Sequence, residues 1–140
     1  MIQSQSLSWT QGEATTRLKA FQRALLIVMI LDILLGLFVL IWPDAFARLL
    51  LLPMAVPIAW PRVFGLMLLG VALFSWRGYL NPAAARWNIS AGLLIRLALA
   101  VLFLIQWGGF LWLAAYAAAT GLVLWLTYRR AARAELMSHP

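Results

Sequence analysis

The sequence predicts an all-α integral membrane protein: a bundle of four helices with a short interfacial or re-entrant segment between the first and the second. Three observations carry this reading. Of 140 residues, 65 % are apolar and only 11 % are charged, against roughly 25 % charged residues in soluble domains. The mean hydropathy is +0.92. The apolar residues also gather into four runs, at 24–42, 58–76, 87–106 and 110–128, each close to the roughly 20 residues that cross a hydrocarbon core about 30 Å thick. The expected organisation is a polar cytoplasmic tail at 1–23, a membrane domain at 24–128 and a basic cytoplasmic tail at 129–140, with no separate extramembrane domain.

In the N-terminal tail, Thr10-Gln-Gly-Glu13 has the spacing of a capping box and predicts a short helix leading into the first span. Arg17, Lys19 and Arg23 mark the boundary. The first run is interrupted only by Asp32. Ala45-Phe-Ala47 resembles a signal-peptide cleavage site, but the run before it exceeds the usual 7 to 15 residues and holds an acid, so an uncleaved anchor is expected. Pro43-Asp44 ends the helix, with Asp44 expected to cap the segment that follows and Arg48 within reach of it one turn on. Residues 45–52, between Pro43 and Pro53, are too few to span.

The second span accommodates Pro61 in its first turn, where a missing N–H costs little, and Arg62 can snorkel outward. Residues 77–86, with Gly78, Asn81 and Pro82, predict a turn. The third span carries Arg96 near its middle, and Gly108-Gly109 predicts a tight hairpin into the fourth. Leu34-Leu-Gly36 followed by Trp42 is echoed by Leu68-Leu-Gly70 followed by Trp76. That echo counts as a duplication only if helix packing repeats it.

The chain lacks cysteine, which excludes disulfides, thiolate metal sites and cysteine nucleophiles. Its single histidine is His139, beside the C-terminus, so haem ligation in the bundle is not expected. The four acids, Glu13, Asp32, Asp44 and Glu135, form no pair suited to acid–base work. No cofactor, metal or catalytic residue is expected, and the chain is not expected to be an enzyme. The net charge of +7 sits beside apolar runs and fits headgroup contact, not nucleic acid.

With an even number of spans, both tails and the middle loop share a side. That side holds Arg17, Lys19, Arg23, Arg77, Arg86, Arg129, Arg130 and Arg133, whereas the other holds Arg48 and Arg62. Eight against two predicts cytoplasmic termini. Two aromatic belts agree: Trp42, Trp60, Trp107 and Trp112 at the outer face, Trp76, Tyr79, Trp87, Trp125 and Tyr128 at the inner one, with Trp9 outside the pattern. The preference for Arg over Lys points to a bacterial source, hence an inner membrane.

Ionisable groups at mid-membrane need a partner, a wet cavity or neutralisation. Asp32 lies nine residues beyond Arg23, and Arg96 ten beyond Arg86. On parallel spans their depths match, and they can pair if those spans are neighbours. Gly36 and Gly92, one turn from each charge, would allow close helix approach. The small pairs Ala114/Ala118 and Ala117/Gly121 predict a closely packed face on the fourth span, used inside the bundle or against another subunit or a second copy. Two readings of the charged pair stand open. One is a clamp fixing helix register; the other is the polar floor of a pocket for a lipophilic molecule.

Several residues resemble the DoxX-like group of small bacterial four-helix membrane proteins. They are Leu35-Gly36, Trp42-Pro43-Asp44, the proline-bounded link, Arg62-Val-Phe-Gly65 with Gly70, and the mid-span Arg96. The likeness covers residues 24–128. It implies an accessory subunit of a quinone-linked or other membrane redox assembly and carries over no catalytic residue. The functional expectation is therefore a non-catalytic accessory or scaffold subunit in the bilayer, with a small transporter or binder of a lipophilic molecule as the alternative.

Overall fold

The computed structural model describes residues 2–52, 59–82, 85–106 and 108–138, with side chains between residues 11 and 136 of those ranges. The chain forms α1 (Ile2–Ile41), α2 (Pro43–Leu49), α3 (Ala59–Leu80), α4 (Arg86–Gln106), a 3-10 turn (Gly108–Phe110) and α5 (Leu111–Ser138). Of these, α1, α3, α4 and α5 are long and apolar enough to cross a membrane, as the sequence predicts. At most 33 % of the most apolar stretch of each helix is buried. The remainder, such as Leu73 at 81 % and Ile105 at 76 % exposure, presents a hydrocarbon surface suited to lipid.

Each long helix packs on the next, and α5 returns to α1. The α1–α3 interface is the most extensive and α3–α4 the least. Among the described residues the backbones of α1 and α4 nowhere approach each other closely, so the two helices stand diagonally across the bundle. This corrects the condition under which Asp32 and Arg96 were expected to meet, since their helices are parallel but not neighbours.

The helices overrun their apolar segments. α1 is continuous from Ile2, so Thr10 lies inside the helix and no capping box starts a separate one. No proline interrupts residues 2–41, and Gln, Arg, Lys, Glu and Ala prolong a helix readily once it is nucleated. Thr15 and Thr16 donate to the Gly12 carbonyl at 2.9 Å each, and Arg17 pairs with Glu13 one turn earlier. Likewise α5 runs through Arg129, Arg130 and Arg133, and α3 continues past the expected turn at Arg77 and Gly78 to Leu80. Gly78 is buried against Ile89 and Leu25, which explains why the helix persists there.

In α2, Pro43 occupies the first turn, and Trp42 precedes it with no side-chain cap. Asp44 is exposed in that turn, favourable to the helix dipole but not a cap, and forms no ion pair with Arg48 among the described residues. The helix closes with Leu52 N–H on the Ala47 carbonyl at 2.9 Å, Leu51 N–H on Arg48 at 3.2 Å, and Leu51 in the left-handed region at φ 52°. Phe46 is buried and stacks on Phe64 at 6.2 Å, so α2 caps one end of the bundle. Gly108, at φ +66°, turns the chain into α5, and a side chain at Gly109 would overlap the Leu50 carbonyl. Pro53 and the expected start of the second span at Ile58 lie outside the described residues.

Two apolar clusters form the core. One, at the α2 end, joins Val39, Phe46, Phe64, Leu68, Phe103 and Leu113. The other joins Phe21, Leu25, Val28, Met29, Ile89 and Leu124. At that second end Phe21 meets Tyr128 at 5.5 Å, Gln22 donates to the Tyr79 carbonyl at 3.0 Å, and Arg86 pairs with Glu135 at 3.1 Å. The start of α1 and the end of α5 therefore share this end, together with the eight basic residues counted in the sequence, and Arg48 and Arg62 are at the other.

The tightest crossing joins Gly36 of α1 to Gly65 of α3. A Cβ on Gly36 would stand 2.9 Å from the Gly65 carbonyl, and one on Gly65 would stand 2.8 Å from that of Gly36. Gly36 thus serves α3, not the approach to α4. Gly70 faces open space, so packing does not repeat the sequence echo between Gly36 and Gly70. Gly36→Ala and Gly65→Ala are each expected to lose about 1–3 kcal/mol by forcing the backbones apart. Gly70→Ala is expected to stay within about 1 kcal/mol of the parent or gain slightly. Reversible unfolding in detergent micelles measures all three.

Candidate functional site

Asp32 lies nine residues before the end of α1, and Arg96 ten before the end of α4. Both are buried, at 0 % and 3 % exposure, where water cannot neutralise them. The guanidinium crosses the bundle diagonal and grips the carboxylate with two nitrogens. Nη2 pairs with Oδ2, and Nη1 donates to Oδ1 at 3.4 Å. This fork is the geometry in which arginine binds a carboxylate most strongly.

α5, which packs on both helices, supplies the remaining polar contacts from two residues one turn apart. Tyr116 Oη donates to Asp32 Oδ1 at 2.6 Å. Arg96 Nη1 donates to Thr120 Oγ1 at 3.1 Å, and that hydroxyl donates to the Tyr116 carbonyl at 2.8 Å. Among the described residues no buried side-chain nitrogen or oxygen lacks a partner. Neither Tyr116 nor Thr120 stands out in the sequence. The available signal is a pair of hydroxyl side chains at i and i+4 in the middle of an apolar run, on the stripe that a fourth helix turns inward.

The small residues play different parts from those expected. Gly92 is buried, but a Cβ there would meet only Ser75 Oγ, at 3.9 Å, and one on Gly121 would meet Arg96 Cβ at 3.6 Å. Both are ordinary contact distances, so neither glycine marks a tight crossing. Ala114 and Ala117 are buried in the bundle, whereas Ala118 is exposed on the outer face between α4 and α5. The Ala114/Ala118 pair therefore straddles the boundary between core and lipid.

Of the tryptophans, Trp42, Trp76 and Trp87 are 49–80 % exposed near the ends of the helices, and Trp125, 43 % exposed in the middle of α5, lies one turn before Arg129 where the apolar run stops, positions suited to interfacial anchors. Trp60 instead is half-buried, with its ring 5.3 Å from that of Phe110. Trp107 lies outside the described residues.

The space next to the pair is small. A cavity lined by Arg96, Ser75, Asn88 and Gly92 holds about 10 Å³, no more than the roughly 10–15 Å³ that one water occupies. Chemically, the site is a carboxylate with three donors on it and a guanidinium anchored at both ends. It can hold three helices together, and among the described residues the cavity beside it has room for about one water. Compared with protein-family models, curated proteins and solved structures, the chain has no match in any of the three.

Removing the Tyr116 hydroxyl strips a donor from a buried carboxylate. Tyr116→Phe and Thr120→Val are each expected to lose about 1–3 kcal/mol. Thr127 makes its hydroxyl bonds only to carbonyls of its own helix, and Thr127→Val is expected to change stability by less than about 0.5 kcal/mol. Unfolding in the same micelles distinguishes the two outcomes.

Proposed function

We propose that this chain is a non-catalytic accessory or scaffold subunit of a membrane complex. The observation that carries the reading is closure of the only mid-span charges. Asp32 is engaged by Arg96 and Tyr116, and the adjoining cavity holds at most about one water. A transporter or binder working through this pair would need space at the charge. A register clamp needs none, and it holds α1, α4 and α5 at fixed heights. The DoxX-like likeness of Leu35-Gly36, Arg62-Val-Phe-Gly65 and Arg96 supports a quinone-linked or other redox assembly as the complex.

The excess of basic residues at the end bearing both termini supports an inner-membrane orientation with both termini cytoplasmic. Because the chain lacks cysteine, single cysteines at the exposed Ala20, Ala45 and Leu136 report this directly and leave every charge in place. An impermeant maleimide on cells with a permeabilised outer membrane is expected to label only Ala45→Cys, and the other two only after lysis. The opposite pattern overturns the orientation.

Asp32→Leu and Arg96→Leu are each expected to lose about 3–5 kcal/mol by stranding a buried charge, and the double variant to recover most of it. The double variant is also expected to remain with its complex. Gentle detergent purification from the native host, followed by identification of what accompanies the chain, tests the role itself. Large membrane subunits in fixed ratio are the expected result. A small lipophilic molecule alone, lost from a folded double variant, overturns the proposal.

A further inference from the structure

A groove of about 410 Å³ opens outward between α4 and α5. Leu93, Leu97 and Ala100 wall it on α4, and Ala118, Leu122 and Trp125 wall it on α5. The space exists because Ala118 is exposed yet small, and the Asp32–Arg96 pair plays no part in lining it. At the terminal end of the groove Arg129 lies over the Trp125 ring, its guanidinium carbon 4.7 Å from the centroid. The stacking holds a cation at the mouth. Arg17, Arg86 and Arg96 have carboxylate partners, whereas Arg129 forms no ion pair among the described residues.

The dimensions identify the occupant. From Ala118 to Arg129 is eleven residues of α5, about 16 Å at 1.5 Å per residue. That is close to half of a hydrocarbon core about 30 Å thick, the depth of one leaflet. An apolar channel walled from Ala118 to Trp125, with a cation one turn beyond it at the headgroup level, matches part of one lipid chain below a negative headgroup. A second copy of the chain matches poorly. Of its acids, Glu13 and Glu135 pair with Arg17 and Arg86, Asp32 is buried, and Asp44 sits at the opposite end.

We propose that the α4–α5 groove binds an acyl chain of an anionic phospholipid whose phosphate sits on Arg129. Native mass spectrometry of the purified chain with phosphatidylglycerol and phosphatidylcholine of identical acyl chains tests this. The parent is expected to retain the anionic lipid about fivefold better, the preference one basic residue confers near a membrane surface. Arg129→Gln is expected to abolish the preference, whereas Arg130→Gln, one residue along the same exposed helix, retains it. Ala118→Phe, which fills the groove from an exposed position, is expected to reduce retention of both lipids to background, and Ala118→Leu carries the same reading if the larger side chain impairs folding. Equal retention of the two lipids by the parent overturns the proposal, as does equal damage from Arg130→Gln or unchanged retention in the groove-filling variants. A parent dimer that Ala118→Phe converts to monomer also overturns it, assigning the groove to a second copy.

Discussion

A carboxylate and a guanidinium shut away from water must satisfy each other, and that requirement organises this bundle. A charge at mid-membrane costs roughly 2.5–3.5 kcal/mol even on insertion scales. Asp32 and Arg96 offset that cost only if the bundle brings them together without admitting solvent. They sit on diagonal helices, so the contact is made by the reach of the arginine side chain and not by backbone approach. α5 completes the arrangement with Tyr116 and Thr120, one for each partner. The polar layer lies between two apolar clusters, each sealing it from one end.

Packing around this layer is uneven, for identifiable reasons. α1 and α3 meet at Gly36 and Gly65, where the missing side chains let two backbones touch. Neighbouring interfaces are padded by larger side chains: Trp60, Phe64, Phe103 and Phe110 fill the α2 end with ring contacts. Where α4 presents leucine and α5 alanine on the outer face, a groove is left between them. Tightness thus follows the placement of residues lacking bulk, but only where the opposing helix also lacks it.

Much of this was legible in the sequence because the bilayer imposes a length and a hydropathy on every span. The four spans, the proline-bounded α2 and the shared end of the termini follow from run lengths and charge. Asp32 and Arg96 stand out because charges are rare in such runs. What was not legible depends on which helices adjoin, information that no single run contains. Hence no run by itself shows that Gly36 meets Gly65 of α3, or that the hydroxyls of Tyr116 and Thr120 turn toward the charges. The helices run on beyond residues 23, 76 and 128, where the apolar runs stop, because hydropathy marks where lipid stops, whereas α-helical hydrogen bonding continues into water.

The diagonal latch also bears on biogenesis. Chains are synthesised from the N-terminus, so Asp32 enters the bilayer with the first helix, long before its counter-ion on α4 emerges from the ribosome. The Tyr116 donor comes later still, on the final segment. Until α4 follows, the acid of the first helix has no counter-ion within the chain's own spans. A chain ending before α4 therefore carries a carboxylate with no counter-ion, and α5 adds the last donor to a pair that α4 has already made possible.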